Sequence, residues 1–335
     1  MSPVAEALVD PFDRVVRDLR ISVTDRCNFR CGYCMPEDGM EWLPRHEILT
    51  FEEIERVARL CVERWGFTGI RLTGGEPTVR AGLPSLVAKL ARLGVDLSLT
   101  TNGASLRLLA EELRSAGLAR INISCDSLRA DRFLAITHRD ALPQVLDGID
   151  AALAAGFSPV KVNAVLMRGV NDDEVVDFAT FGREKGVVVR FIEFMPLDAD
   201  GAWTGEQVVS ATEILAAIGA VYPLEAVVAP GGGRGSQPAE RYAYADGRGE
   251  IGIVPSVTRS FCGTCDRVRL TADGKFRNCL FATQETDLRV LLRGGASDDD
   301  VAAAIEADVG RKWAGHSIGQ VHFVRPARSM SQIGG

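Results

Sequence analysis

Six of the eight cysteines in this 335-residue chain form two sets whose spacing suits metal chemistry. The first cysteine set is Cys27, Cys31 and Cys34, and the second cysteine set is Cys262, Cys265 and Cys279. The spacings are C-x-x-x-C-x-x-C in the first set and C-x-x-C, then thirteen residues and a last cysteine, in the second. Three thiolates are one fewer than the four that close a structural zinc or iron–sulfur site. The two sets therefore indicate two metal centres that each keep a position open for a small molecule.

The composition fits a globular protein in a reducing compartment. Hydrophobic residues make up 46% of the chain, and the formal net charge of −7 argues against binding to nucleic acid or to an anionic membrane. No apolar run approaches the roughly 20 residues of a membrane span, and residues 1–14 lack the apolar core of a signal peptide. We therefore expect a cytoplasmic protein whose clustered thiols hold metal rather than form disulfides.

The scaffold that must position the cysteines is predicted from the stretch between residues 19 and 194, which alternates β-rich runs with helical patterns. The candidate strands are Leu19–Val23, Gly69–Leu72, Asp96–Thr100, Arg120–Ser124, Val160–Leu166 and Val187–Ile192. The candidate helices are one that begins after the N-cap Thr50, with Glu53 completing a capping box, and Leu83–Leu93, Leu106–Ala116, Leu142–Ala155 and Asp173–Lys185. About six β-α units in series predict an α/β fold whose parallel sheet closes partly or wholly into a barrel.

Segments with chemical potential follow the first four of these strands. They are Cys27 after the first, Gly74-Gly75-Glu76-Pro77 after the second, Thr101-Asn102-Gly103 after the third and Asp126 after the fourth. Because the carboxyl ends of barrel strands carry the chemistry in such folds, we expect these segments to meet in one site.

The pattern changes after the sixth strand. Residues 229–237 are rich in glycine, and two short strands (Tyr242–Ala245 and Glu250–Val254) and a helix from Asp298 to Ala307 or beyond follow. We therefore predict two regions, a barrel at residues 14–228 and a C-terminal region at residues 229–335 that carries the second cysteine set.

The first cysteine set favours an iron–sulfur cluster over zinc. Zinc would need a distant Cys or His as fourth ligand, and His46 is the nearest histidine. Three cysteines on a short loop can instead hold three irons of a [4Fe–4S] cluster. This loop after a first strand, with the GGEP turn after the second, resembles the radical S-adenosylmethionine (SAM) superfamily. The resemblance implies that the fourth iron binds the amino and carboxylate groups of SAM.

The second cysteine set leaves zinc as a stronger alternative, because C-x-x-C turns are common in zinc sites. No nearby Cys or His completes a closed site, however, and Arg267 and Arg269 follow directly in the sequence. Arginines on alternate residues of a strand point the same way. Two guanidinium groups beside an open metal site suit an anionic ligand, above all a phosphate.

Taken together, several motifs resemble the GTP 3′,8-cyclase family over about residues 14–335. They are both cysteine sets, the GGEP turn, the stretch from Cys262 to Phe281 (CGTCDRVRLTADGKFRNCLF) and the terminal double glycine. The resemblance implies an incomplete (β/α)6 radical SAM barrel with a C-terminal extension that carries a second [4Fe–4S] cluster. It also implies a radical SAM lyase that opens molybdenum cofactor biosynthesis. In that reaction a 5′-deoxyadenosyl radical takes the 3′ hydrogen of GTP, and C3′ bonds to guanine C8 to give (8S)-3′,8-cyclo-7,8-dihydro-GTP.

The resemblance further assigns site residues and partners. The two cysteine sets would bind the two [4Fe–4S] clusters, and Gly334 and Gly335 would reach into the active site. SAM-binding positions are Tyr33, Gly75, Ser124 and Met195. GTP-binding positions are Arg20, Arg71, Thr100, Lys161, Arg267, Val268 and Arg269. Besides GTP and SAM, the implied partners are an external electron donor and a downstream cyclic pyranopterin monophosphate synthase, and the chain would be a monomer or a homodimer.

Two other interpretations stay open. One is a different radical SAM enzyme with an auxiliary cluster, such as a peptide-modifying enzyme, which the basic residues near both cysteine sets disfavour. The other is a non-catalytic iron–sulfur or zinc protein, which the open first site and the GGEP turn disfavour.

A few residues stand apart from the site. Asp266 occupies a position where the family often has Asn, and its carboxylate could pair with Arg267 or Arg269. Cys61 and Cys125 are expected to be buried and structural. No function is assigned to the loop at residues 231–235 or to the four histidines, His46, His138, His316 and His322.

Overall fold

Twelve strands join into one sheet within the part of the chain that the structure, a computed structural model, describes. The described residues are 6–35, 40–198, 200–228, 235–321 and 323–334, so Gly335 and most of the 231–235 loop lie outside them. In chain order the strands are β1 (Asp18–Ser22), β2 (Gly69–Thr73), β3 (Asp96–Thr101), β4 (Arg120–Ser124), β5 (Val160–Leu166), β6 (Val188–Glu193), β7 (Leu224–Val227), β8 (Glu240–Tyr244), β9 (Glu250–Val254), β10 (Arg267–Leu270), β11 (Lys275–Arg277) and β12 (Thr286–Asp287).

The α-helices of the described residues lie between and after these strands. They are α1 (Phe51–Trp65), α2 (Leu83–Ala91), α3 (Leu106–Ser115), α4 (Ala130–Thr137), α5 (Leu142–Ala154), α6 (Val175–Lys185), α7 (Ala211–Gly219), α8 (Leu288–Arg293), α9 (Asp298–Val309) and α10 (Met330–Ile333).

Neighbouring strands run parallel in the order β10-β1-β2-β3-β4-β5-β6-β9. β1 to β6 are the six predicted strands, which confirms the α/β fold with a parallel barrel sheet. β9 and β10 come from later in the chain and extend this sheet at both edges. β7 and β8 continue one edge, and β11 and β12 continue the other, as antiparallel strands.

The predicted elements agree closely with the observed ones. All six barrel strands begin and end within one residue of their predicted bounds. α1 begins with the predicted capping box, in which the Glu53 amide donates to Thr50 Oγ1 (3.1 Å) and the Thr50 amide donates to Glu53 Oε2 (2.7 Å). Cys61 lies buried on the inner face of this helix, as expected. The sequence analysis missed α4 and α7, and it began α6 too early, because Asp172–Glu174 form a 3₁₀ turn.

Candidate active site

One cavity gathers residues from the barrel strands and from the C-terminal region. All six cysteines of the two sets line it. It is also lined by most of the predicted SAM and GTP positions, which are Tyr33, Gly75, Ser124, Met195, Arg20, Arg71, Thr100, Arg267 and Arg269. The fold therefore brings residues distant in the sequence into a single site.

The loop of the first cysteine set follows β1 and is held by α4. The amide of Arg30 donates to the carbonyl of Thr137 at the end of that helix (3.0 Å). Phe29 packs edge-on against Phe133 of α4, with 5.9 Å between the ring centres. A helix missed by sequence reasoning thus fixes the backbone between the first two cysteines.

Burial raises the pKa of all three thiols in this first set. The pKa of Cys27 rises to about 11 and that of Cys34 to about 12, and the neighbouring Cys34 thiol adds to the effect of burial at Cys31. The protein alone therefore does not stabilise three thiolates at this place. A bound cation must supply the compensating charge, as a metal cluster does when it displaces the thiol protons.

The GGEP turn packs directly onto the start of the cysteine loop. The amide of Glu76 donates to the carbonyl of Arg26 (2.7 Å). A Cβ atom at Gly75 would lie 2.4 Å from the carbonyl oxygens of both Asp25 and Arg26. Only glycine permits this close approach, so the turn and the cysteine loop are positioned as one unit.

Glu76 uses both of its carboxylate oxygens inside the protein. Oε1 accepts hydrogen bonds from the hydroxyl groups of Thr78 and Thr101, each at 2.6 Å. Oε2 accepts from the amide of Asn102 (2.6 Å). The carboxylate therefore joins the GGEP turn to the end of β3 rather than facing the cavity with a free oxygen.

A buried carboxyl group joins the cysteine loop to the ends of β4 and β5. The Tyr33 hydroxyl donates to Asp126 Oδ2 (2.6 Å), and the Val165 amide donates to Asp126 Oδ1 (2.8 Å). Burial raises the pKa of Asp126 to about 6, although both hydrogen bonds oppose the shift. Asp126 thereby fixes the aromatic side chain that precedes the third cysteine.

In the second cysteine set, burial raises the pKa of the Cys279 thiol, but the surroundings of the other two thiols lower theirs. Burial opposes ionisation of Cys262, yet hydrogen bonds from His316 lower the pKa of this thiol to about 7. Burial also opposes ionisation of Cys265, but the charges of Arg267 and Lys312 lower the pKa of that thiol. Sequence reasoning gave no role to His316, because it has no metal-ligand spacing.

Buried cations extend from the second set across the sheet. The strand register places Arg269 of β10 beside Arg20 of β1, and Arg20 beside Arg71 of β2. The Nε atoms of Arg20, Arg267 and Arg269 are buried and have no hydrogen-bond partner among the described residues. Burial and mutual repulsion lower the pKa of Arg20 and Arg269 to about 9, so both guanidinium groups stay charged at neutral pH. Asp18 Oδ1 lies 3.7 Å from Arg20 Nε, and a bound anion would supply further negative charge beside this row.

Asp266 does not neutralise this row. Its Oδ1 atom lies 3.9 Å from Arg267 Nε, without a hydrogen bond between them. Arg267 instead places its guanidinium over the ring of Phe261, 4.9 Å from the ring centre, and donates to the carbonyl of Ser236 (3.2 Å). The pairing considered from the sequence is thus loose and leaves Arg267 Nε available.

Arg190 of β6 is a cavity residue that the sequence analysis did not select. Its guanidinium donates from Nε to Asn163 Oδ1 (2.9 Å) and from a terminal nitrogen to Asn122 Oδ1 (2.7 Å). A Cβ atom at Gly252 of β9 would lie 2.9 Å from Arg190 Cγ, so glycine leaves room for this side chain. The sequence signal that could have identified Arg190 as a site residue is an arginine inside an otherwise apolar strand.

Two of the predicted GTP positions, Lys161 and Val268, do not line the cavity. Lys161 is half-buried on β5, and burial together with the charge of Arg190 lowers its pKa to about 8. Val268 is buried in the hydrophobic core, because Arg267 and Arg269 occupy the alternate face of β10.

The end of the chain returns to the first cysteine set. A Cβ atom at Gly334, whose φ is +82°, would lie 2.2 Å from Ser22 Oγ and 2.4 Å from Thr73 Oγ1. The hydroxyl of Ser331 donates to the carbonyl of Cys34 (3.3 Å). The described tail thus lies against the ends of β1 and β2 and against the cysteine loop.

Comparison with known proteins identifies the family. Residues 21–182 match the model of the Radical SAM superfamily, and residues 187–318 match the model Molybdenum Cofactor Synthesis C. A GTP 3′,8-cyclase of Rhodopirellula baltica is 50% identical to this chain and matches 98% of it and 92% of its own length. GTP 3′,8-cyclase 2 of Mycobacterium tuberculosis is 49% identical, over 99% of this chain and 93% of its own. This chain belongs to the GTP 3′,8-cyclase family.

The fold of this GTP 3′,8-cyclase family member, which contains a radical SAM domain, is similar to that of solved structures. A crystal structure of SuiB from Streptococcus suis covers 88% of this chain and 69% of its own, with a TM-score of 0.57 at 11% identity. At this identity the likeness concerns the fold alone. Membership of the radical SAM superfamily implies one [4Fe–4S] cluster and SAM.

No three His, Cys, Asp or Glu side chains in the described ranges are arranged to hold a single metal ion in this GTP 3′,8-cyclase family member. None of its described helices is long and apolar enough to cross a membrane.

Proposed function

We propose that this chain is a radical SAM GTP 3′,8-cyclase that performs the first step of molybdenum cofactor biosynthesis. The observation that carries the proposal is the cavity in which two three-cysteine sets meet arginines, three of which have a buried Nε atom without a hydrogen-bond partner among the described residues. SAM cleavage alone requires neither the second cysteine set nor these cations. A nucleoside triphosphate supplies the negative charge that the arginines need.

The first cysteine set is the proposed ligand set of the SAM-cleaving [4Fe–4S] cluster. Because the Glu76 carboxylate already accepts internal hydrogen bonds at both oxygens, we assign the SAM amino group to backbone carbonyls of the GGEP turn at Gly75. Tyr33, Ser124 and Met195 line the same cavity and would border the rest of the SAM molecule.

The second cysteine set is the proposed ligand set of a second [4Fe–4S] cluster, at which the guanine of GTP binds. Cations beside this set would hold the triphosphate and keep water out of its contacts. They are the buried Arg190, Arg267 and Arg269 and the partly buried Arg20 and Arg71, with Lys161 at the margin. Thr100 lines the cavity between the two halves of the site.

The reaction proceeds by hydrogen abstraction and ring closure. When bound, the first cluster supplies the electron that splits SAM into methionine and a 5′-deoxyadenosyl radical. The arginine row fixes the nucleotide, so that the ribose C3′–H rather than another bond faces the radical. The C3′ radical then bonds to guanine C8, and one electron, drawn ultimately from the external donor, and one proton give (8S)-3′,8-cyclo-7,8-dihydro-GTP. The enclosing barrel shields the radical from water.

The remaining assignments concern the rest of the molecule. Residues 14–228 would supply the SAM-cleaving barrel, and residues 229–335 the second cluster and the tail. Gly334, which lies between Ser22 and Thr73, would support a tail that acts at the substrate. An external electron donor and a downstream cyclic pyranopterin monophosphate synthase would be partners, with the chain as a monomer or a homodimer.

Anaerobic reconstitution tests the proposal. We expect about eight irons and eight sulfides per chain, as two [4Fe–4S] clusters require. With SAM, GTP and a reductant we expect 5′-deoxyadenosine and a cyclised nucleotide in equal amounts. Turnover that is indifferent to GTP, or zinc bound at the second cysteine set, would overturn the assignment.

A further inference from the structure

The segment Lys312–His316, with the sequence KWAGH, follows α9 and lies against the second cysteine set without belonging to it. Lys312 is buried, and its Nζ donates to the carbonyl oxygens of Cys265 (3.1 Å) and Arg267 (3.0 Å). Lys312, the first residue of the segment, is therefore anchored to the backbone that carries the cysteines and the arginine pair.

Arg14 fastens the middle of the segment. One terminal nitrogen donates both to the carbonyl of Cys262 (2.7 Å) and to the carbonyl of Ala314 (2.8 Å). Arg14 Nε in turn donates to Asp10 Oδ2 (2.5 Å), and both side chains are buried. A single guanidinium thus bridges the cysteine turn and the segment.

Gly315 allows the segment to approach Cys262 closely. A Cβ atom at this position would lie 3.0 Å from Cys262 Cβ and 3.5 Å from Cys262 Sγ. A side chain here would press on the Cβ atom of Cys262 and contact its sulfur. The backbone therefore delivers the next residue, His316, to the edge of the second cysteine set.

The His316 ring is oriented on two sides. It packs against Phe281, with 5.2 Å between the ring centres, and its Nδ1 accepts a hydrogen bond from the Ile318 amide (3.4 Å). A neutral imidazole that accepts at Nδ1 carries its proton on Nε2. The ring lines the same cavity as Cys262, and His316 lowers the pKa of that thiol against the effect of burial.

We propose that His316 is a positioning residue that donates an N–H to the Cys262 thiolate and so raises the reduction potential of the second cluster. The inference rests on the proposed function, because it presumes a cluster at the second cysteine set. A donor to a cluster thiolate withdraws electron density from the metal, and hydrogen bonds to cluster sulfurs help set reduction potentials. Cys265 faces Lys312 and Arg267, whereas the side chains that act on Cys262 are those of His316 and Ser260.

The test compares two variants in the full-length chain with Cys27, Cys31 and Cys34 replaced by alanine, so that only the second cluster is observed. His316→Phe keeps the ring packing on Phe281 but has no donor. His316→Gln keeps an N–H donor. His46→Phe serves as a control, because the His46 side chain is 82% exposed. Iron content is measured first, and the reduction potential is then followed by EPR.

We expect about a tenfold lower ratio of reduced to oxidised cluster in His316→Phe at a fixed solution potential, which is 59 mV for a one-electron couple. His316→Gln should restore most of the shift, and His46→Phe should cause none. If His316→Phe binds no cluster while His316→Gln binds one at the original potential, that result also shows that the second cluster needs the N–H donor.

Two results would overturn the inference. One is a His316→Phe potential equal to that of the parent, and the other is a His316→Gln variant that behaves as poorly as His316→Phe. Failure of the proposed function is recognised separately, because the parent with only the second cysteine set would then bind no iron at all.

Discussion

At the scale of single residues, the buried Nε atoms of three cavity arginines are the most telling feature. Burying a charged donor atom without an acceptor is costly, and the Nε atoms of Arg20, Arg267 and Arg269 have no hydrogen-bond partner among the described residues. A bound triphosphate removes this cost, because each guanidinium gains a charge-assisted hydrogen bond. Binding of the triphosphate therefore offsets the free-energy cost of burying these donor atoms during folding.

The double substitution Arg267→Ala and Arg269→Ala should cripple GTP binding. A hydrogen bond to a charged group contributes about 1.5–3 kcal/mol, so each loss should weaken GTP affinity about 10- to 100-fold. Anaerobic titration calorimetry measures the effect. Arg241→Ala, on the exposed side of β8, is the matched control and should leave the affinity unchanged. SAM cleavage without GTP should persist in the double variant, and an unaltered GTP affinity would refute the anion role of the pair.

Asp126→Asn should stabilise the metal-free protein at pH 8 but not at pH 4. Burial raises the pKa of this carboxyl group from 3.8 to about 6 in the folded state. Its contribution to stability is therefore fully present below pH 3.8 and is lost as the pH rises through 6, a difference of about 3 kcal/mol. Urea unfolding of both proteins at several pH values measures the gain, with Asp131→Asn on the exposed side of α4 as the control. A stability difference that does not grow between pH 4 and pH 7 would contradict the expectation.

At the scale of elements, features that depend on residues near each other in the sequence were predicted, and contacts between residues far apart in the sequence were not. The strands agree within a residue because Val160–Leu166 and its neighbours carry β-branched residues bounded by turn signals, which are local features. The short helix α4 was missed because its eight residues give little more than two turns of pattern. The pairing of Arg20 with Arg269 depends on β10 lying beside β1, and the hydrogen bond of His316 depends on the path after α9. No local pattern encodes either contact.

Gly334→Ala should abolish cyclisation while sparing SAM cleavage. The new Cβ atom would lie 2.2 Å from Ser22 Oγ, so the tail could not keep its position between β1 and β2. We expect at least a tenfold loss of cyclised product per 5′-deoxyadenosine formed, measured by chromatography. Gly319→Ala is the matched control, since Gly319 has a similar φ of +80° but nothing within 4 Å of the added atom. Equal losses in both variants would assign the effect to backbone strain rather than to tail placement.

At the scale of the whole molecule, the C-terminal strands complete the sheet on which both halves of the site stand. β10 pairs with β1 along Asp18–Ile21, and β9 pairs with β6 along Val189–Ile192. Both barrel edges are therefore covered by the later part of the chain. The second cysteine set and the arginine pair reach the cavity because their strand is part of the barrel sheet itself.

A fragment of residues 1–228 should therefore fail to fold as an independent barrel. Its β1 and β6 would be exposed edges with unpaired backbone groups, which favours aggregation, and it would lose the apolar contacts of Val268, Leu270, Ile251 and Ile253. Size-exclusion chromatography and circular dichroism measure the outcome. Deletion of residues 329–335 is the matched control, because it leaves all twelve described strands in place and should give a folded protein that binds iron but does not cyclise GTP. A monomeric 1–228 fragment with native helix content and four irons would show instead that the barrel is stable without its C-terminal edges.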